Sequence, residues 1–230
     1  INAFGSEKRI RLAMGREPIE VGEEIVKLLK GELPRGFIGA LKNISKVKEL
    51  LSYPPKVVSS GPCQEVEGEP NLEELPILKC WPGDAGRFIT LPLVFTHDPE
   101  TGERNVGVYR MQVYDKRTTG MHWHLHKHGA SHLWKAKKIK RRLEVAVAIG
   151  ADPAMVLSGI APVPEGMDEV LFAGLIRKVG VDMIKCRTID MQVPADSEFV
   201  LEGYVDPDET RAEGPFGDHT GHYSLTDDYP

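Results

Sequence analysis

The sequence predicts an α+β protein in which a small α/β lobe, residues 1–60, precedes a closed or split β-barrel, residues 61–230. Two observations lead to this prediction. Apolar residues in the lobe recur at the spacing of amphipathic helices, whereas from Arg87 onward short strand-like segments are separated by turn residues. At least seven such strands, with few helices between them, are typical of a barrel.

The predicted lobe combines one short strand with two helices. RIRLAMG, residues 9–15, is interpreted as the strand. PIEVGEEIVKLLKGE, Pro18–Glu32, carries apolar residues at positions 19, 21, 25, 26, 28 and 29, which predicts a helix that ends near Gly31. GFIGALKNISKVKELLSYPP predicts a second helix that ends at Pro54, because proline lacks the amide hydrogen that a helix needs.

The predicted barrel begins with strands in RFITLPLVFTHD, NVGVYRMQVYDK and GMHWHLHKH. The turns DPETGER and KRTTG join these strands, which indicates an antiparallel meander of two hairpins. A helix at about residues 132–141, the buried strand EVAVAIG, and helices in LSGIAPVP and DEVLFAGLIRK come next. Three further strands are predicted in VDMIKCRT, IDMQVP and FVLEGYVD.

Composition excludes several classes of protein. The net charge of −5 and the pI near 5.9 argue against a nucleic-acid binder, and the basic run Lys135–Arg142 is interpreted as a solvated helix face. Three cysteines without CxxC spacing indicate reduced thiols in a cytoplasmic protein. No signal peptide is recognised, and Asp152, Pro153 and Pro162 interrupt the most apolar window, which excludes a membrane span.

A histidine-rich stretch, TTGMHWHLHKHGASH, is the first candidate site. His122, His124, His126 and His128 alternate, so on a predicted strand they would share one face. Neighbours about 6.6 Å apart on one strand cannot all surround a cation. We therefore expect at most two of them to be ligands, with other ligands from elsewhere in the chain. The alternative is that the histidines only decorate an exposed sheet.

Two residues outside this stretch are candidates for the remaining ligands. Asn105 opens the preceding strand and Glu169 lies on a later helix. An amide oxygen, an imidazole and a carboxylate suit Mn²⁺ or Mg²⁺ better than structural Zn²⁺, which favours cysteine.

A pair of carboxylates forms the second candidate site. In TRAEGPFGDHTG, Glu213 and Asp218 flank a tight Gly-Pro-Phe-Gly turn and can face one cavity. Two carboxylates in unlike environments can have separated pKa values, so that one remains protonated as a general acid. A guanidinium such as that of Arg110 would hold the other ionised. The alternative is a surface turn with solvated acids.

Several motifs in order resemble the UbiD family of decarboxylases, the 3-polyprenyl-4-hydroxybenzoate carboxy-lyases and their relatives. The segments are NVGVYRMQVYDKRTTGMHW…KHGA, VAVAIGADPA…APVPEG…E, VPADSEFVLEGYVDP and AEGPFGDHTGHYS, together with GPCQEV and LPILKCWPGDAG. The resemblance runs from about Ala3 to Tyr229. It implies a flavin-binding split β-barrel beside an α/β lobe. It also identifies the chain as a central fragment, with a C-terminal oligomerisation domain expected beyond it.

The resemblance implies prenylated FMN as cofactor, together with Mn²⁺ and K⁺. Carried over by position, the metal ligands are Asn105, His128 and Glu169. The implied cofactor contacts are Val108, Tyr109, Arg110, Trp123, His124, Lys127 and His128. The implied catalytic group is Arg110, Glu213 and Asp218, with Asp218 as proton donor and the other two tuning its protonation. Some relatives have histidine at the position of His126 and glycine at that of His128, so His126 stays an alternative ligand.

The implied function is non-oxidative decarboxylation of an aromatic or α,β-unsaturated carboxylic acid, with 3-polyprenyl-4-hydroxybenzoate of quinone biosynthesis as the first substrate. The alternatives are a small phosphorylated unsaturated acid of isoprenoid synthesis, a flavin-binding module that is inactive as a fragment, and a metal-dependent hydrolase. The expected partners are the carboxylic acid, a flavin prenyltransferase that supplies the cofactor, and further copies of the chain in a homo-oligomer. A polyprenylated substrate would bring a cytoplasmic enzyme to the membrane surface.

Overall fold

The computed structural model describes residues 3–29, 52–124, 127–163 and 167–230. The chain forms two compact units: the first comprises Ile1–Val58 and Ala151–Met183, and the second comprises Ser59–Gly150 and Ile184–Pro230. The predicted α+β class is confirmed. The predicted domain boundary at residue 60 lies next to the first change of unit, and the segment 151–183 packs with the first unit.

Helices and strands are numbered in chain order over the described residues. The helices are α1 Glu7–Met14, α2 Pro18–Leu29, α3 His128–Lys138, α4 Pro153–Ile160 and α5 Glu169–Arg177. The strands are β1 Lys56–Val58, β2 Phe88–Ile89, β3 Leu93–His97, β4 Arg104–Val108, β5 Met111–Val113, β6 Thr119–Met121, β7 Leu143–Ile149, β8 Asp182–Lys185, β9 Gln192–Pro194, β10 Phe199–Val205, β11 Arg211–Glu213 and β12 Asp227–Tyr229. No helix within these described ranges is long and apolar enough to cross a membrane.

The predicted strand at residues 9–15 is wrong, because this segment belongs to helix α1. Ser6 caps the helix by accepting a hydrogen bond from the Arg9 amide at 3.3 Å, and Gly15 ends it in the left-handed conformation with φ of 64°. These local caps outweigh the apolar alternation of RIRLAM. The next predicted helix is confirmed as α2, whereas most of the helix predicted at 36–55 lies outside the described residues.

Helix packing forms the apolar cluster of the first unit. Val21 of α2, Ala154 of α4 and Phe172 of α5 belong to this cluster. Asp152 and Asp168 cap α4 and α5, and each carboxylate accepts a hydrogen bond of 2.7 Å from the amide two residues later. The two helices predicted in these segments are therefore confirmed, and α5 carries Glu169 as its first residue.

The strands of the second unit form separate antiparallel sheets. The largest has four strands in the order β10-β7-β3-β4, another has three in the order β2-β5-β6, and β11 pairs with β12. Val94 and Val147 of the first sheet share a core with Met111 and Met121 of the second. Within the described ranges these sheets do not close into a barrel.

The chain changes sheets between β4 and β5. The hairpins β3–β4 and β5–β6 are both present, but they lie in different sheets instead of one continuous meander. Tyr109 stands at the change and packs into the core, with its ring 6.1 Å from that of Trp123 at 84°. Gly107 makes room for it, since a Cβ there would lie 2.5 Å from the tyrosine ring. Arg110, the next residue, extends to β11.

The predicted strand with four aligned histidines is wrong. Strand β6 ends at Met121, and His128 is the first residue of helix α3. Gly129 packs so closely on the indole of Trp123 that a Cβ would come within 2.7 Å of it, and His132 faces the interior from the next turn. This helical packing ends the alternation, so the histidines do not share one strand face. His126 lies outside the described residues.

The last residues of the chain bring β12 beside the three-stranded sheet. β12 pairs with β11 in antiparallel register, Glu213 opposite Asp227. The carbonyl of Pro230 then accepts a hydrogen bond of 2.7 Å from the amide of Met121, at the end of β6. This contact places Tyr229 against His122, with their ring centroids 4.2 Å apart.

Two helical glycines provide a test of the packing in the first unit. Gly174 in α5 lies against the Tyr53 carbonyl, and a Cβ would collide with that oxygen, whereas a Cβ on Gly22 in α2 would meet no atom of the described residues within 4 Å. Gly174→Ala should lower the free energy of unfolding by about 1–3 kcal/mol because the backbone must move. Gly22→Ala, the matched control, should raise it by about 0.5–1 kcal/mol. Equal effects in urea unfolding would contradict this packing.

Candidate functional site

The candidate site is built around Glu213, a fully buried carboxylate at the end of β11. Arg110 donates two hydrogen bonds to it, from Nε to Oε1 at 2.8 Å and from Nη2 to Oε2 at 3.0 Å. This is the planar two-point geometry in which a guanidinium matches a carboxylate best. The structure thus brings together two of the three residues predicted to be catalytic.

His122 is a second partner of the same carboxylate. Its Nδ1 lies 3.0 Å from Glu213 Oε2, and its Nε2 lies 3.0 Å from Nε2 of His124. The histidine was recognised in the sequence only as one member of an alternating stretch, and its contact with Glu213 was not foreseen. The contact depends on how β6 and β11 lie in space, so no local sequence signal could have revealed it.

The loop after Glu213 holds the arginine in place. Ser224 Oγ accepts hydrogen bonds from Arg110 Nη2 at 3.2 Å and from the Phe216 amide at 3.1 Å, and the guanidinium lies over the Phe216 ring at 4.7 Å. Gly214 has φ of 94°, and a Cβ there would approach the Leu225 carbonyl to 2.9 Å, so glycine is required at this turn. The tight loop predicted from AEGPFG therefore closes around Arg110.

The protonation of Glu213 follows from these contacts. Burial by itself raises the pKa of the Glu213 carboxyl, but the hydrogen bonds from His122 and Arg110 together outweigh burial and lower the pKa to about 2. Glu213 is therefore an anion at neutral pH. Because its pKa is lower in the folded than in the unfolded protein, its contribution to stability is present above about pH 4.5 and disappears as the pH falls toward 2.

Within the described residues, the carboxylate of Asp218 makes no hydrogen bond to Arg110 or Glu213 and bonds to His219 instead. It is exposed, and it accepts hydrogen bonds from the backbone amide of His219 at 2.7 Å and from His219 Nδ1 at 2.6 Å. The amide hydrogen bond from His219 is the main reason that the pKa of Asp218 is lowered. In this arrangement Asp218 is ionised and faces His219, so its role as proton donor stays a prediction.

The predicted metal ligands of the second unit are adjacent. Asn105 is buried in β4, and its Oδ1 lies 3.2 Å from Nδ1 of His128. The described residues include no group of three or more His, Cys, Asp and Glu that could hold a metal ion. An amide oxygen beside an imidazole nitrogen nevertheless fits two positions of a Mn²⁺ or Mg²⁺ site. Glu169, the third predicted ligand, begins α5 in the first unit.

Two buried donors near these residues lack a partner. Asn105 Nδ2 and Trp123 Nε1 are buried and make no hydrogen bond within the part of the chain that is described. Buried N–H groups are almost always paired in native proteins, so an unpaired one calls for an explanation. An oxygen-rich ligand in contact with Asn105 would satisfy its amide, and this fits the phosphate and carbonyl oxygens of a flavin nucleotide.

The remaining predicted cofactor contacts differ in burial. The side chains of Tyr109 and Trp123 belong to the apolar core. Lys127, which precedes α3 as its N-cap, and His124 are exposed, while Val108 is half-buried at the end of β4. An open cavity of about 800 Å³ lies in the second unit, and the described residues that line it do not include any of these predicted contacts.

Comparisons with known proteins show what this chain is similar to. Residues 56–230 match the family model "UbiD: 3-octaprenyl-4-hydroxybenzoate carboxy-lyase Rift-related domain". An uncharacterized protein of Archaeoglobus fulgidus is 53% identical over 100% of this chain and 48% of its own length. The chain therefore spans about half the length of this relative.

Two solved enzymes are similar in structure. The UbiD-class enzyme HmfF of Pelotomaculum thermopropionicum, in complex with FMN, has a TM-score of 0.81 and 30% identity over 98% of this chain and 47% of its own. Vanillic acid decarboxylase of Sedimentibacter hydroxybenzoicus, in its closed form, has a TM-score of 0.82 and 30% identity over 99% of this chain and 47% of its own. An evolved dimeric form of HmfF contains prenylated FMN; its TM-score is 0.81, with 29% identity over 98% and 49% of the two chains.

The buried ion pair makes a prediction about stability. Glu213→Gln leaves the guanidinium of Arg110 without its counter-charge, so we expect the free energy of unfolding to fall by about 3 kcal/mol at neutral pH. Glu69→Gln is the matched control, because Glu69 pairs with Arg117 on the surface, at 2.7 Å with both side chains exposed. That change should cost less than about 1 kcal/mol. Similar losses for the two variants in urea unfolding would contradict the role given to Glu213.

Proposed function

The chain belongs to the UbiD family of decarboxylases, and from this premise we propose that it provides the acid–base site of a non-oxidative carboxy-lyase that uses prenylated FMN. The proposal extends to a flavin-binding split β-barrel formed by the sheets of the second unit. The observation that carries it is the fully buried Glu213, held as an anion by Arg110 and His122. The HmfF structures, which contain FMN or prenylated FMN, support the choice of cofactor.

The proposed reaction explains why a cofactor is needed. Loss of CO₂ from an sp² carbon leaves an electron pair with no resonance outlet, and side chains cannot accept it. Prenylated FMN, when bound, supplies the electron sink. Asn105 and His128 would hold a Mn²⁺ ion beside the cofactor phosphate, with Glu169 as the third ligand that the resemblance implies and K⁺ as the second cation.

In the proposed reaction, the residues of the protein transfer a proton. The substrate loses its carboxyl group as CO₂ and gains one proton at the same carbon, so an acid must stand near that carbon. We assign this role to Asp218, which must first take up a proton and turn away from His219. The positive charge of Arg110 contributes to lowering the pKa of Asp218, and the negative charge of Glu213 would have to oppose it, because like charges raise the pKa of a carboxyl group.

The proposed substrate is an aromatic or α,β-unsaturated carboxylic acid. The decarboxylase of vanillic acid among the similar structures supports the aromatic class. Within that class we propose 3-polyprenyl-4-hydroxybenzoate first. Feeding this acid and a small phosphorylated unsaturated acid to the same preparation, and following CO₂ release, would distinguish the two.

Decarboxylation can be tested on the longer protein co-expressed with a flavin prenyltransferase. We expect flavin absorbance and CO₂ release, and a loss of at least about 100-fold in kcat/KM for Arg110→Lys, since lysine cannot make the two-point contact with Glu213. Arg117→Lys is the matched control, because Arg117 pairs only with Glu69 at the surface among the described contacts. It should leave the rate within about twofold.

Asp218→Asn tests the role of the proton donor independently of the other proposed roles. It should abolish turnover, because asparagine cannot supply a proton. Unchanged turnover in this variant would rule out Asp218 as the donor while leaving the family and cofactor proposals intact.

The proposed metal site predicts the manganese content of the purified protein. His128→Ala should lower bound manganese by at least about tenfold, because an imidazole ligand is lost. His222→Ala is a suitable control, because His222 is an exposed histidine that is not among the proposed metal ligands. Elemental analysis checks both variants, and equal manganese in the two would remove His128 from the ligand set.

A further inference from the structure

The site contains a histidine to which the family resemblance assigns no role. The side chain of His122 is only 14% exposed, and three groups from the described residues contact its ring. Glu213 lies at Nδ1 and His124 at Nε2, each at 3.0 Å, and Tyr229 packs against the ring face at 4.2 Å. Among the described residues, Arg110 also belongs to this cluster, through its two hydrogen bonds to Glu213.

The position of one hydrogen atom follows from these contacts. An ionised carboxylate can only accept hydrogen bonds, so Nδ1 of His122 must carry a hydrogen and donate it to Glu213. The contact between the two Nε2 atoms then requires a single hydrogen between them. Either His124 donates it to a neutral His122, or a protonated His122 donates it to His124.

The ring of His122 is held in this orientation. A half-turn about the bond between Cβ and Cγ would put carbon atoms in place of both nitrogens, and both hydrogen bonds would be lost. Tyr229 covers one face of the ring and is itself fixed by β12 and by the hydrogen bond from the Met121 amide to the Pro230 carbonyl. His122 is therefore set by packing as well as by polar contacts.

We propose that His122 is a positioning residue of this site: its Nδ1–H orients the buried carboxylate of Glu213, and its Nε2 links that carboxylate, through one shared hydrogen, to the exposed His124. The effect on turnover rests on the proposed function. The hydrogen position does not, because it follows from the contacts of the protein alone.

NMR of the protein labelled with ¹⁵N-histidine tests the hydrogen position without cofactor or substrate. We expect His122 to show a protonated Nδ1 at neutral pH, with the assignment made by the loss of its signals in His122→Asn. A His122 with a bare Nδ1 and a protonated Nε2 would overturn the inference, whatever the activity of the enzyme.

Two variants distinguish the effect of His122 on the orientation of Glu213 from its link to His124. His122→Phe keeps a ring against Tyr229 but donates nothing, whereas the amide of His122→Asn can still donate from the place of Nδ1 but cannot reach His124. In His122→Phe the acid-induced loss of stability should begin about one pH unit higher than in the wild type, because Glu213 loses a charge-assisted hydrogen bond. His122→Asn should recover most of this shift, and the control His222→Asn should show none. Identical acid transitions for His122→Phe and the wild type would also overturn the inference.

Turnover of the cofactor-loaded, longer protein distinguishes this inference from the proposed function. We expect His122→Phe to lower kcat by about tenfold with KM within about twofold, since a misplaced Glu213 affects the reaction more than substrate binding. If the hydrogen position and the acid shift are found but no CO₂ is released, the proposed function fails and the positioning role stands. If CO₂ is released and Nδ1 is bare, the positioning role fails alone.

Discussion

A single buried charge governs the arrangement of this site. Removing a carboxylate from water costs several kcal/mol unless other groups compensate the charge. Glu213 is fully buried, and Arg110 and His122 together provide three hydrogen bonds to its two oxygens. Arg110 supplies one donor to each oxygen of the carboxylate, and His122 adds a second donor at Oε2.

The fold brings Glu213 and its two partners together from distant segments of the chain. Arg110 follows the point at which the chain leaves one sheet for another, His122 follows β6, and Glu213 ends β11. The separations of 103 and 91 residues along the chain mean that no local element could assemble the cluster. A shared apolar core holds the two larger sheets together, and the loop around Ser224 fixes the guanidinium from the other side.

The parts of the fold that could be predicted are those with local signals. The apolar run of β7 and the aspartate caps of α4 and α5 are examples, since each can be read from a few neighbouring residues. RIRLAM fits a strand and a helix almost equally, and the caps Ser6 and Gly15 stabilise the helix. The strand predicted from the alternating histidines was wrong for a related reason. The close packing of Gly129 on Trp123 is a tertiary contact, and the spacing of the histidines in the sequence does not indicate it.

The candidate site, too, could be predicted only in part from the sequence. Arg110 and Glu213 were associated through family motifs, and the structure joins them. The adjacency of Asn105 and His128 was likewise expected from motifs, and their donor atoms lie 3.2 Å apart. The partnership of His122 with Glu213 could not be expected, because it depends on the relative placement of β6 and β11.

An acid titration followed by ¹³C NMR of the side-chain carboxyl carbon shows whether Glu213 is an anion held by two fixed partners. We expect the chemical shift of a carboxylate at every pH at which the protein stays folded, with protonation only as the pH approaches 2. A titration midpoint near the usual glutamate value of about 4.3 in the folded protein would contradict it.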